Sequence, residues 1–138
     1  MLRSFVARIS VFGDLAHVAL RVLLGIVLAY HGWLKVSSGY AVGFFRQVGI
    51  PVPELLGPVI SFLELLGGLA LIVGLFTRYL GVLFTIEFLV ATYVKWIAMG
   101  RGYGGSELEL MILLVALFMA TNGGGSISVD KSVNRWEP

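Results

Sequence analysis

The sequence predicts an all-α integral membrane protein, a four-helix bundle of antiparallel up-down topology, and three observations carry that reading. Hydrophobic residues make up 58% of the chain, charged residues only 13%, and the mean hydropathy is +0.94, far from the balance of a soluble domain. The stretch from Leu55 to Phe76 runs for 22 residues with a single ionisable group, Glu64. At a rise of about 1.5 Å per residue it reaches roughly 33 Å, enough to cross a bilayer core. Comparable apolar runs flank it, and 138 residues hold four crossings of about 20 residues each with no room for a separate soluble domain. One domain, 1–138, is predicted.

The same composition excludes several function classes. A formal charge of +2 with the ten Lys and Arg scattered along the chain gives no basic patch for nucleic acid. Cysteine is absent, which removes disulfides, thiolate nucleophiles and cysteine-ligated iron–sulfur clusters. Any redox chemistry must use another cofactor or another subunit.

Taken in order, residues 1–14 carry Arg3, Arg8 and Asp14 among apolar residues and lead into a first helix near 15–34. That span contains Arg21 and ends in Tyr30-His31-Gly32-Trp33 rather than a small-residue cleavage site, so it reads as a retained helix and not a signal peptide. Lys35 to Glu54 holds Gly39, Gly43, Gly49, Pro51 and Pro53 around Phe44, Phe45 and Arg46, which is loop chemistry of interfacial character. Pro53 suits the first turn of a second helix, near 54–76, where its missing N–H costs nothing. That helix is read as ending at Thr77-Arg78, with a tight turn into a third near 79–99. Glycine-rich Met99–Glu107 precedes a fourth, near 106–121, short for a crossing but workable beside longer neighbours.

The tail 122–138, which includes Trp136, is polar and is placed outside the bilayer on the N-terminal side. The Lys and Arg of that side (Arg3, Arg8, Arg78, Lys131, Arg135) against the other (Lys35, Arg46, Lys95, Arg101) favour cytoplasmic termini by five to four.

The segments LRVLLGIVLAYHGWLKV (Leu20–Val36), GIPVP (49–53), ELLGGLALIVGLFTR (64–78), Glu107 at the head of the last helix and GGGSISVD (Gly123–Asp130) together resemble the DoxX family of small bacterial and archaeal membrane proteins. The resemblance implies a four-helix protein of the plasma (inner) membrane. It also implies a link to quinone-dependent oxidation of sulfur compounds, or to membrane redox complexes with superoxide dismutase and sulfurtransferase partners. More distant animal relatives act as cargo receptors or assembly chaperones. One departure stands out: the family's closing Gly-Pro-Gly is Gly123-Gly124-Gly125 here, which loosens that turn.

Helix depth then sorts the polar residues. Glu64 and Glu87 each lie about nine residues into their helices from opposite faces, roughly 14 Å deep and level with one another. Arg21 falls about 5 Å from that level, and an ionised acid there needs a partner, so Arg21 is expected to be shared with Glu64 or Glu87. Such a triad is either a static ion pair that fixes helix register or a working proton or ligand site.

Gly57, Ser61, Gly67 and Gly68 share the face of Glu64. Gly32, Gly67 and Gly68 are read as helix-packing glycines, with a slot for a flat quinone ring as the alternative. A second polar set, His31 and Lys35 with Tyr30, Trp33, Tyr93, Lys95, Trp96, Glu107 and Glu109, gathers towards the opposite interface. Much of it matches an ordinary aromatic and lysine belt. His31, with a near-neutral pKa by type, suits a proton relay or a donor to a quinone carbonyl.

Glu107 and Glu109 lie about 200° apart on a helix, so only one faces inward, and the resemblance selects Glu107. The candidate cluster is therefore Arg21, His31, Lys35, Glu64, Glu87 and Glu107, with no catalytic residue assigned and no metal site. His17 and His31 stand about 21 Å apart on one helix and cannot share a haem iron.

The leading reading is a small quinone-linked subunit or anchor of a membrane oxidoreductase complex, with quinone as cofactor, redox subunits as partners and homo-oligomerisation compatible. The other is a non-catalytic scaffold, assembly factor or lipid- or cargo-binding module.

Overall fold

Residues 1–133 are described by a computed structural model, and among them every regular element is helical. The lead-in is itself a helix, α1 (Leu2–Ser10), whose Leu2, Phe5, Val6 and Ile9 form one apolar stripe flanked by Arg3 and Arg8. None of its residues is buried.

Helix α2 (Gly13–Ser38) runs a turn beyond the expected 34, because nothing between Lys35 and Ser38 breaks it. It stops at Gly39, whose left-handed backbone (φ 68°) lets its N–H donate to the Lys35 carbonyl at 2.9 Å. The next segment corrects the loop reading of 35–54. Tyr40–Gln47 form helix α3, because Ala41 and Phe45, at the i, i+4 spacing, bury against α4 and outweigh the cost of Gly43.

Helix α4 (Pro53–Val73) begins on its proline and ends at Gly74 (φ 76°), three residues before the expected end. Thr77 and Arg78 therefore open the next helix rather than close this one. Helix α5 (Thr77–Tyr93) continues into one π-helical turn, Val94–Ala98, in which the Met99 N–H donates to the Val94 carbonyl at 2.8 Å. Helix α6 spans Glu107–Asn122 and α7 spans Val129–Val133.

Three of these are long and apolar enough to cross a membrane: Gly13–Ser38, Pro53–Val73 and Thr77–Ala98. Helix α6, with 16 residues, is about 24 Å long. Large apolar residues such as Leu66, Leu89 and Leu114 face outward, as on helices bathed in lipid rather than water.

The helices pack as two close pairs, α2 on α4 and α5 on α6, with α3 laid against α4. Glycines set the first contact: a Cβ on Gly25 would stand 2.6 Å from the Gly68 carbonyl oxygen, and one on Gly32 2.7 Å from Leu65 Cα. Gly67 faces the other way, with Phe84 nested on it, so no open slot runs along the glycine face. In the second pair Gly81 lies against Ala116 and Ala120. Leu24, Leu28, Leu71, Phe84, Phe88, Ile112, Ala116 and Met119 form the shared core between the pairs.

Residues 123–133 of the tail fold back onto the helix ends. Asp130, 1% exposed, caps α5: its Oδ1 accepts from the Phe76 N–H at 2.7 Å and its Oδ2 from the Thr77 N–H at 2.8 Å. Its own N–H donates to the Gly74 carbonyl at 3.0 Å. Trp136 lies outside the described residues.

Candidate functional site

Where the two helix pairs diverge, they enclose a cavity of about 510 Å³, walled on one side by α3. Its apolar lining includes Phe44, Phe45, Ile60, Ile86, Phe88 and Ile112. Its polar lining is His31 and Lys35 from α2, Glu64 from α4, Glu87 from α5, Lys95 from the π turn and Glu109 from α6.

These polar groups form a connected set. The Lys35 ammonium donates to Glu64 Oε1 at 2.6 Å, and the Lys95 ammonium pairs with Glu109 Oε1. Glu64 is 1% exposed, and Glu87 reaches it across the α4–α5 gap within hydrogen-bonding range. Glu64 Oε2 and Glu87 Oε2 are both buried, and neither meets a lysine, hydroxyl or backbone N–H. Two ammonium groups, from Lys35 and Lys95, thus face three carboxyls in this lining.

Local structure explains why these side chains converge. The extra turn of α2 carries Lys35 over the end of α4 nearest Glu64, and the Gly32–Leu65 contact holds that register. The π turn places Lys95 towards the cavity while burying Val94, a local widening of the kind often found at functional sites.

Of the residues singled out from sequence, His31, Lys35, Glu64 and Glu87 lie together on this cavity. Two do not. Arg21 is correctly placed as buried, at 2% exposed, but it pairs with neither glutamate. It lies eleven residues, about 16 Å, along α2 from Gly32, which packs on Glu64 and Leu65. Arg21 would stand level with Glu64 only if α2 and α4 started and stopped at matched levels, whereas the glycine contacts slide α2 along α4 and carry Arg21 to the far end.

There Arg21 Nε donates to the Leu71 carbonyl at 2.9 Å, Nη2 to Ile72 at 3.3 Å, and Nη1 to Gly124 and to Ile127 at 2.8 Å. His17 Nε2 donates to the Gly123 carbonyl at 2.8 Å. The glycine triplet at 123–125 is thus a held turn, not a loosened one. Gly123 and Gly125 take positive φ, while a Cβ on Gly124 would stand 2.8 Å from Ser128 Cβ.

The other correction concerns the acid of α6. Glu109 is buried and Glu107 is exposed. The 200° separation excludes two inward acids but does not say which turns in, and the π turn that brings Lys95 opposite Glu109 decides it. Lys95 and Glu109, named in the sequence only as part of the interfacial polar set, are the site residues missing from the candidate cluster. Their one available signal was that both sit at the boundary of an apolar run where a lysine and an acid can meet.

Comparison with known proteins agrees with the membrane reading. The DoxX family model matches residues 16–97, well over half of the chain. "Putative oxidoreductase CatD" of Bacillus subtilis (strain 168) is 29% identical over 121 residues, covering 87% of this chain and 88% of that protein. "Inner membrane protein YqjF" of Escherichia coli (strain K12) is 29% identical over 125 residues, covering 88% of this chain and 95% of that protein. No solved structure matches the chain. With its apolar helices and a family match extending from α2 into the π turn, the chain belongs to the DoxX family of membrane proteins.

Proposed function

We propose that this protein is a small quinone-linked subunit of a membrane oxidoreductase complex and that its cavity holds the ring of a quinone. The observation that carries this reading is the cavity itself: about 510 Å³ of largely apolar space, within the range of small-molecule sites, with a few convergent polar groups at one end. Phe44, Phe45 and Phe88 offer faces for a flat ring, and His31 and Lys35 offer donors to a ring oxygen. The name of CatD as an oxidoreductase supports the redox assignment.

In this reading α2, α4, α5 and α6 cross the plasma membrane as an antiparallel four-helix bundle with both termini on the cytoplasmic side. The cavity then opens towards the opposite interface, where α3 lies flat with Tyr40 at its head, and redox subunits dock at that surface. The protein contributes binding and proton-accepting groups, and the electron donor belongs to a partner.

Protein extracted in mild detergent should carry co-purifying quinone, or bind an added quinone analogue with an affinity that Glu64→Gln reduces. If the parent neither retains nor binds quinone, this reading is wrong. The remaining reading is then a scaffold, which the pairing of Lys35 with Glu64 and of Lys95 with Glu109 also supports, since such pairs fix helix register without chemistry.

A further inference from the structure

We infer that α1 is a lipid-binding arm, lying along the bilayer surface with its apolar stripe among the acyl chains and with Arg3 and Arg8 on the phosphates of anionic headgroups. The inference stands apart from the ring-ligand reading, because α1 takes no part in the cavity. It begins with an apolar face that the protein itself leaves uncovered. Leu2, Phe5, Val6 and Ile9 recur at helical spacing within an arc of about 100°, and all four are exposed.

Length and connection say what covers that face. With nine residues, α1 is about 14 Å long, far short of a bilayer crossing. Only Val11 and Phe12 separate it from α2, the first of the helices long and apolar enough to span. The arm is therefore held at the membrane surface, and Val11, Phe12 and Leu15, all exposed, carry the apolar surface on into α2. Facing water, the stripe would keep four large side chains hydrated, whereas the boundary between headgroups and acyl chains takes them out of it.

Charge then selects the lipid. Arg3 and Arg8 lie about 60° beyond the two edges of the stripe, one on each side, while Ser4 and Ala7 occupy the opposite face. The arm holds no acid, and the nearest one in sequence, Asp14, belongs to α2. With the stripe seated in the membrane, both arginines reach back to headgroup level, where each guanidinium can donate in a bidentate fork to a phosphate. One arginine at an anionic membrane surface favours binding by about fivefold, so the pair favours it by about thirtyfold.

The test uses the full chain in lipid nanodiscs that hold a single copy. The chain has no cysteine, so Val6→Cys and Ser4→Cys each introduce a lone thiol, the first on the stripe and the second on the opposite face. Their reaction with an uncharged maleimide, carried on a polyethylene glycol too large to enter the bilayer, is timed in discs of phosphatidylcholine and in discs containing phosphatidylglycerol. The Val6→Cys rate divided by the Ser4→Cys rate should fall by about thirtyfold from the neutral to the anionic disc, by about fivefold when Arg3→Gln or Arg8→Gln is added, and not at all with both. The comparison of lipids needs no arginine variant, so an arginine variant that fails to insert leaves the test intact. Equal rates at the two positions in both discs mean that the arm stands off the bilayer, and they overturn the inference. Protection of Val6→Cys to the same degree in both discs overturns the part given to the arginines. Protection that appears only in discs holding two copies assigns the stripe to a second copy of the chain and overturns the inference as well.

Discussion

Lys35 Nζ meets Glu64 Oε1 at 2.6 Å across the α2–α4 interface, joining a carboxylate that is 1% exposed to an ammonium that is 17% exposed. A pair this far from water is worth little net when formed but a great deal when half of it is removed, because the survivor keeps its desolvation cost and loses its partner. Glu64→Gln and Lys35→Met should each lower stability by about 3–5 kcal/mol, and the double replacement Lys35→Met with Glu64→Gln should cost less than the sum of the two. Thermal unfolding in detergent of the three variants, read as a double-mutant cycle, checks this. Additive losses would mean that the two side chains act independently.

Arg21 predicts a different pattern. Its donors reach four carbonyls, two on α4 and two in the turn after α6, so it ties the end of one helix to the returning tail. Arg21→Leu leaves those carbonyls unmet and should release residues 123–133 to a protease added on that side, while Glu87→Gln should leave the tail protected. A sequence-based triad of Arg21, Glu64 and Glu87 makes the opposite forecast, that neutralising both acids strands the arginine. Tail proteolysis in the Glu64→Gln, Glu87→Gln double variant separates the two: the carbonyl cage keeps the tail held.

That contrast marks what the sequence made legible. Hydropathy and length reveal the apolar helices, because a span of about 20 apolar residues needs no tertiary information. Helix phase reveals the inward face of α4, and Gly57, Ser61, Glu64, Gly67 and Gly68 are all buried. The level shared by Glu64 and Glu87 follows from counting residues into each helix. What phase and counting cannot supply is the sliding of one helix along another. Close glycine contacts at Gly25 and Gly32 fix it, and it decides that Lys35 rather than Arg21 meets Glu64. Likewise the π turn at Val94–Ala98 has no sequence signature, yet it selects Lys95 and Glu109.

Asp130 should behave as a helix cap placed in trans by the tail. Both its carboxylate oxygens accept from backbone N–H groups at the start of α5. Asp130→Ala removes both bonds and should cost about 1–2 kcal/mol, whereas Asp130→Asn keeps one acceptor and should cost less. Hydrogen exchange at the first turn of α5 reports on it: faster exchange confined to the Phe76 and Thr77 amides is the expected result, and unchanged exchange in Asp130→Ala would rule the cap out.

Glycine substitutions offer the sharpest test of the helix register, because two glycines in neighbouring helices should respond with opposite signs. At Gly32 an added methyl would stand 2.7 Å from Leu65 Cα, which is backbone and cannot swing aside, so α2 and α4 would have to separate or slide. Gly32→Ala should therefore destabilise by about 1–3 kcal/mol. It should also loosen the Lys35–Glu64 contact that the register sets. At Gly43, inside α3, nothing lies within 4 Å of the new methyl. Here the helix keeps its geometry and only the unfolded chain loses freedom, so Gly43→Ala should stabilise by about 0.5–1 kcal/mol. Thermal midpoints of the two variants, measured in the same detergent, should fall on opposite sides of the parent. If Gly32→Ala proved as stable as the parent, the α2–α4 contact would be looser than the glycines imply, and the placement of Lys35 over Glu64 would lose its structural cause.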